Sequence, residues 1–154
     1  MTEYKELAAK CGIYCGQCTG LEGKTKTSAK KLKELIEQDF NWIEADKVDV
    51  GFDLTNFKTG LDWFINHSQC PGCNKIKEHW CDVQKCPKIK DNTVENCLLC
   101  EEFLTCPRTE YQRKRYPFVI DHYYRIKEIG FEKHLKEEQR KAEEGLRIQD
   151  IREY

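Results

Sequence analysis

The chain has 154 residues, enough for one domain, and a fold of that size buries roughly 68–70% of the surface its unfolded chain exposes. Charged residues make up 34% against 39% hydrophobic and the formal net charge is −1, so no overall field draws the chain to nucleic acid or to an anionic membrane surface. With apolar material this thin, the ten cysteines are expected to supply cross-links that a small core cannot.

The opening stretch MTEYKELAAKCG has neither the basic start nor the apolar run of a secretory signal. No window approaches the ~20 apolar residues of a membrane-spanning helix, and a cytoplasmic location without membrane attachment is expected. In that reducing compartment clustered cysteines bind metal or do redox chemistry more often than they form disulfides.

In chain order, residues 1–23 carry Cys11, Cys15 and Cys18 among glycines, a turn-rich setting. Residues 24–69 hold no cysteine and predict helix. Ser28 suits an N-cap, and Ala29, Leu32, Leu35, Ile36, Phe40 and Ile43 recur at spacings of three and four, as a core-facing stripe does. A second stripe of Leu54, Phe57, Leu61, Phe64 and Ile65 starts after Asp53 and should end near Asn66, with Gly60 weakening it by about 1 kcal/mol. Residues 70–106 hold seven cysteines in 37 positions and show no sustained period, so this segment cannot order itself through apolar burial. Beyond it, Pro117 suits the first turn of a helix bearing Phe118, Ile126 and Ile129, and Gly130 terminates it. A last helix runs from Phe131 to about Glu144 and stops at Gly145, its alternating charges reading as a solvated face. The expectation is a mainly α fold, a single domain over residues 1–154 in which helices flank an irregular cysteine-rich segment.

Three Cys-x-x-Cys pairs stand out: Cys15/Cys18, Cys70/Cys73 and Cys97/Cys100. Two cysteines three apart in a tight turn direct both sulfurs at one ion and leave two positions of a tetrahedron for another stretch of chain. Proline and glycine make the CPGC at 70–73 the clearest such turn. Cys81 and Cys86 follow closely, so Cys70, Cys73, Cys81 and Cys86 are expected to form one four-thiolate site. Cys11, Cys15, Cys18, Cys97, Cys100 and Cys106 would then form a second that joins the N-terminus to the cysteine-rich segment. An interleaved partition is the alternative. His67 and His79 flank the pairs and could complete a site, whereas His122 and His134 fall in helical patterns and receive no metal role.

Cys11-x-x-x-Cys15-x-x-Cys18 has the spacing of the radical S-adenosylmethionine motif, but the chain lacks the length and the strand–helix alternation of the barrel that motif needs. An ordinary iron–sulfur cluster with a distant fourth cysteine stays open. The Cys15-Gly-Gln-Cys18 pair is also spaced like a thioredoxin dithiol, without the strand and helix that would flank one. The run 108–117, RTEYQRKRYP, offers arginines and tyrosines, but Glu101 and Glu102 precede it, which reads as solvated surface.

The set CGIYCGQC at 11–18, CPGC at 70–73, WCDVQKC at 80–86, CLLCEEFLTC at 97–106, RIKEIGFEKHLKEEQ at 125–139 and GLRIQDIR at 145–152 resembles, in order and over nearly the whole chain, a cysteine-rich prokaryotic family catalogued as a domain of unknown function. The sequence departs from the family pattern by one extra residue before Cys106. The resemblance implies metal binding, with zinc as the cofactor, and supplies no reaction.

Three functions compete: zinc held structurally in an interaction module that meets a protein partner, an iron–sulfur protein in electron transfer or catalysis, and a thiol oxidoreductase. Zinc on thiolates leads on ligand type. No Ser/His/Asp set, phosphate loop or carboxylate pair is present as a motif, so no catalytic residue is assigned.

Overall fold

The computed structural model describes residues 4–78 and 81–152. It has the mainly α architecture expected, 67% helical with no strand among the described residues. None of the helices described is long and apolar enough to cross a membrane. The chain divides into two compact units, Thr19–Cys70 on one hand and Met1–Cys18 with Pro71–Tyr154 on the other.

In the unit Thr19–Cys70, helices α1 (Lys24–Asp39) and α2 (Leu54–His67) pack together. Helix α1 begins earlier than Ser28 would set it. Gly23, at φ 70, turns the chain into the helix, and Thr27 Oγ1 donates back to the Gly23 carbonyl at 3.1 Å. The helix breaks at Phe40, and Asn41–Ala45 forms a separate short helix that takes Ile43 off the stripe. Helix α2 starts at the expected cap, where the Asp53 carboxylate accepts from the Asn56 N–H at 2.8 Å. Lys33 joins the two helices by donating to Asp62 at 2.6 Å. Burial follows only the seam between them: Ala29, Leu54 and Leu61 are buried, while Leu32, Leu35, Phe57 and Phe64 of the expected core stripes are exposed.

The other unit is organised around helices α3 (Phe118–Ile129) and α4 (Phe131–Glu143). Pro117 caps α3, and Gly130, at φ 87, separates the two as expected. Helix α3 buries Val119, His122, Tyr123 and Ile126, spaced as one helical face, and Tyr123 stacks on the fully buried Phe103 at 5.3 Å between ring centroids. Helix α4 buries Leu135 against Ala8 and Tyr14, but it also buries His134 and Glu138. Its neighbouring face, read as solvated, therefore carries an interior polar stripe.

The N-terminal segment closes on itself through an antiparallel bridge between Ala8 and Tyr14, with Ala9 N–H donating to Ile13 O at 2.9 Å. It is tied to the cysteine-rich segment by Cys97 N–H to Lys10 O at 2.8 Å and by Asn96 Nδ2 to Ala9 O at 2.8 Å. Among the described residues of 71–109 the elements are short, the 3-10 turns Cys73–Lys75, Asp82–Lys85, Cys97–Leu99 and Pro107–Thr109 and the single α-helical turn Pro87–Lys90. This is the irregular segment that the absence of a hydrophobic period implied.

Candidate functional site

Two of the Cys-x-x-Cys pairs share one local geometry. Cys15–Gln17 and Cys97–Leu99 are single 3-10 turns, and in each the fourth residue is extended and returns its N–H to the first cysteine's carbonyl, Cys18 to Cys15 at 3.0 Å and Cys100 to Cys97 at 3.0 Å. Two other cysteines are set by the proline that follows them. Cys86 and Cys106 precede Pro87 and Pro107, which bars the helical region to them, and they take nearly the same conformation, ψ 127 and ψ 123.

The second of these turns and the two Cys-Pro steps converge on one cavity of about 350 Å³, lined by Cys86, Cys97, Cys100 and Cys106 with Ile89 and Phe103 among its apolar walls. Its floor is pinned from outside: Thr109 Oγ1 donates to Phe103 O at 2.8 Å, and the Arg113 guanidinium bonds the carbonyls of Leu104 and Cys106. Arg113, in the basic run, is thus committed to holding the cysteine loop. Burial pushes the Cys97 thiol up to about 12, and the neighbouring Cys11, Cys86, Cys106 and Cys100 add to the rise by mutual repulsion.

A second group lies in the same unit. Cys15 and Cys73 are joined by a hydrogen bond that holds the Cys15 thiol below its ordinary range against the opposing effect of burial. Burial raises the Cys11 thiol to about 12, and the nearby Cys81 and Cys15 raise it further. Gln112 Nε2 donates to Cys81 Sγ at 3.3 Å, and Gln149 Nε2 to Cys18 Sγ at 3.7 Å. The grouping therefore differs from the expected set Cys70, Cys73, Cys81 and Cys86. Cys86 faces Cys97, Cys100 and Cys106, while Cys73 meets Cys15. Cys81, before the turn Asp82–Lys85, lies near Cys11, and Cys86, after it, lies near Cys97, which Cys11 also neighbours. Cys70 ends the unit Thr19–Cys70, its N–H on Gly20 O at 2.9 Å.

Among the described residues, which include all ten cysteines, no three sulfurs lie mutually within 4.8 Å. The one group of metal-ligating types that meets that spacing is His122, His134 and Glu138. The two imidazole rings lie 4.6 Å apart between centroids, and His122 Nε2 is 3.5 Å from Glu138 Oε2. Gln17 Nε2 donates to Glu138 Oε2 at 2.8 Å and Lys141 Nζ to Oε1 at 2.6 Å. Burial lowers the pKa of both histidines, and Lys141 pushes them the same way. Burial alone would raise Glu138, but His122, Lys141 and Gln17 hold it below the usual range. Sequence reading left this group out. Its signal was the i,i+4 pair His134/Glu138 facing His122 of the preceding helix, hidden because the charges around it suggested solvent. Of the flanking histidines, His67 lies exposed at the end of α2 with its ring 5.4 Å from that of Trp63, and His79 falls outside the described residues.

The fold defines a helical, cysteine-rich protein whose cysteines sit on or beside its shortest turns. Residues 7–111 match the family described as a protein of unknown function (DUF3795), and the chain belongs to that family. No curated protein and no solved structure matches it.

Proposed function

We propose that the chain is a metal–thiolate protein in which Cys86, Cys97, Cys100 and Cys106 carry an iron–sulfur cluster that serves electron transfer. The observation that supports this is spacing. A tetrahedral zinc with Zn–S near 2.3 Å draws its sulfurs to roughly 3.8 Å from one another. The four cysteines surround a 350 Å³ cavity with no three sulfurs inside 4.8 Å. An iron–sulfur core holds its thiolates farther apart than a single ion does, because separate iron atoms carry them. The apolar lining suits such a cofactor, since low polarity around the sulfurs is one of the means by which a protein sets a cluster's potential.

Structural zinc is the second reading; at the other group its support is the Cys15–Cys73 hydrogen bond, with Cys11 near Cys15 and Cys81. Both readings answer the same electrostatic problem, since buried, mutually repelling thiols ionise readily only beside a cation.

The test is the visible spectrum and the metal, iron and acid-labile sulfide content of anaerobically purified protein. The expected result is a brown protein whose absorbance bleaches on reduction, with iron and sulfide in about equal amounts as a cluster requires, and loss of both in Cys97→Ser and Cys106→Ser. A colourless protein that retains zinc and contains no sulfide replaces the cluster by the structural-zinc reading.

A further inference from the structure

We propose that His122, His134 and Glu138 form a second kind of metal site, a His2Glu centre for a divalent first-row cation, with Zn2+ as the ion its ligand types suit best. It is independent of the thiol groups. Two imidazoles and one carboxylate, each offering a ligand atom within 4.8 Å of the others, match the three-ligand sets that leave a fourth zinc position open. A tetrahedral ion with bonds of about 2.0–2.1 Å sets its ligand atoms roughly 3.3 Å apart, and His122 Nε2 stands 3.5 Å from Glu138 Oε2.

Unmet hydrogen bonding supplies a separate observation. His134 is 2% exposed and its Nδ1 lacks a hydrogen-bond partner, while His122, 7% exposed, is held by the Gly12 backbone. Nearby, the hydroxyl of the buried Tyr14 and the Oε1 of Gln17 are also without one. Buried polar atoms are rarely orphaned, and several around a single carboxylate point to an ion with its bound water. Both histidines line a groove of about 320 Å³ between α3 and α4, which gives the open position a route to solvent. The groove's own charges are largely matched, Arg125 being clamped by Glu137 at 2.7 Å and Glu128 at 3.1 Å. Gln17 behaves as the outer partner of a ligand should: it uses one lone pair of Oε2, which orients the carboxylate and leaves a lone pair toward the histidines, whereas Lys141 sits on Oε1 as a rival cation.

Lys141 makes the proposal sharply testable, because it neutralises Glu138 and so competes with a cation for it. Zn2+ is titrated by calorimetry into the protein as purified with its thiol-bound metal, and into Glu138→Gln and Lys141→Met. One equivalent is expected to bind the native protein; Glu138→Gln should weaken it on the order of 100-fold, and Lys141→Met should tighten it severalfold. A buried ion network without a metal role would make both variants less stable and leave zinc affinity unmoved, and that result overturns the site. Should Glu138→Gln fail to fold, nitrogen-15 NMR of the native histidines decides. Zn2+ must shift ring nitrogens of both His122 and His134, and unshifted resonances overturn the proposal. The thiol reading stands or falls separately, on colour and sulfide.

Discussion

Gly12 follows the first cysteine at φ +96, and a Cβ built there would lie 2.6 Å from Cγ of Leu98, itself 3% exposed. The conformation and the close approach both demand glycine, because an L side chain would add backbone strain and force Leu98 outward together with Cys97 beside it. Gly12→Ala is expected to cost about 1–3 kcal/mol, measured as a lower urea midpoint at unchanged slope. An unaltered midpoint would mean that Leu98 yields freely and that the loop does not fix Cys97. The sequence showed a turn-rich setting over residues 1–23 but could not show the neighbour of Gly12, since Leu98 reaches it only through the fold. Glu138 is similar: its helix was read correctly and its burial was not, because the three groups that make a buried carboxylate tolerable, His122, Gln17 and Lys141, come from three different segments.

At the level of elements, legibility followed local stop and start chemistry. Helices α2, α3 and α4 lie where Asp53, Pro117, Gly130 and Gly145 placed them, since those residues act within a turn of the boundary. Helix α1 began earlier than expected because nothing in Lys24–Thr27 interrupts a helix once Gly23 has turned the chain. Its stripe was periodic yet only Ala29 is buried, for periodicity reports a face and not what covers it. The grouping of the cysteines was the least legible feature, being set by prolines and 3-10 turns that carry no period. The Asp53 cap can be tested directly. Asp53→Ala removes the acceptor for Asn56 N–H, and loss of such a cap costs about 1 kcal/mol. The expected outcome is a drop of that size in stability with faster amide exchange in the first turn of α2, while Asp53→Asn, which retains an acceptor, should recover most of it. Equal losses in both variants would assign the effect to charge and not to the cap.

Across the whole molecule the two units differ in what can hold them. The unit Thr19–Cys70 contains one cysteine and two helices of 16 and 14 residues with their own seam, whereas in the other unit the short turns of residues 81–109 carry clustered, partly buried cysteines and a few long-range hydrogen bonds. On the proposed metal–thiolate reading, a thiol-bound ion would contribute on the order of 10–16 kcal/mol were it zinc, against about 5–15 kcal/mol of net stability for a whole domain. Metal removal is therefore expected to unfold the cysteine-rich turns first, and to expose the N-terminal loop 8–18 with them, since Cys97 N–H and Asn96 Nδ2 tie the two together through Lys10 O and Ala9 O. Helices α1 and α2 share none of those bonds and should keep the protection they have. Hydrogen exchange before and after treatment with a strong chelator under reducing conditions reads this directly, comparing amides of 8–18 and 81–109 with those of 24–67. A selective loss of protection in the first set is the expected outcome. Unchanged protection there, with elemental analysis showing the metal gone, would mean that the turns are held by packing around Phe103, Val119 and Tyr123 alone, and that the metal at the thiols is exchangeable cargo or a catalytic centre and no part of the scaffold.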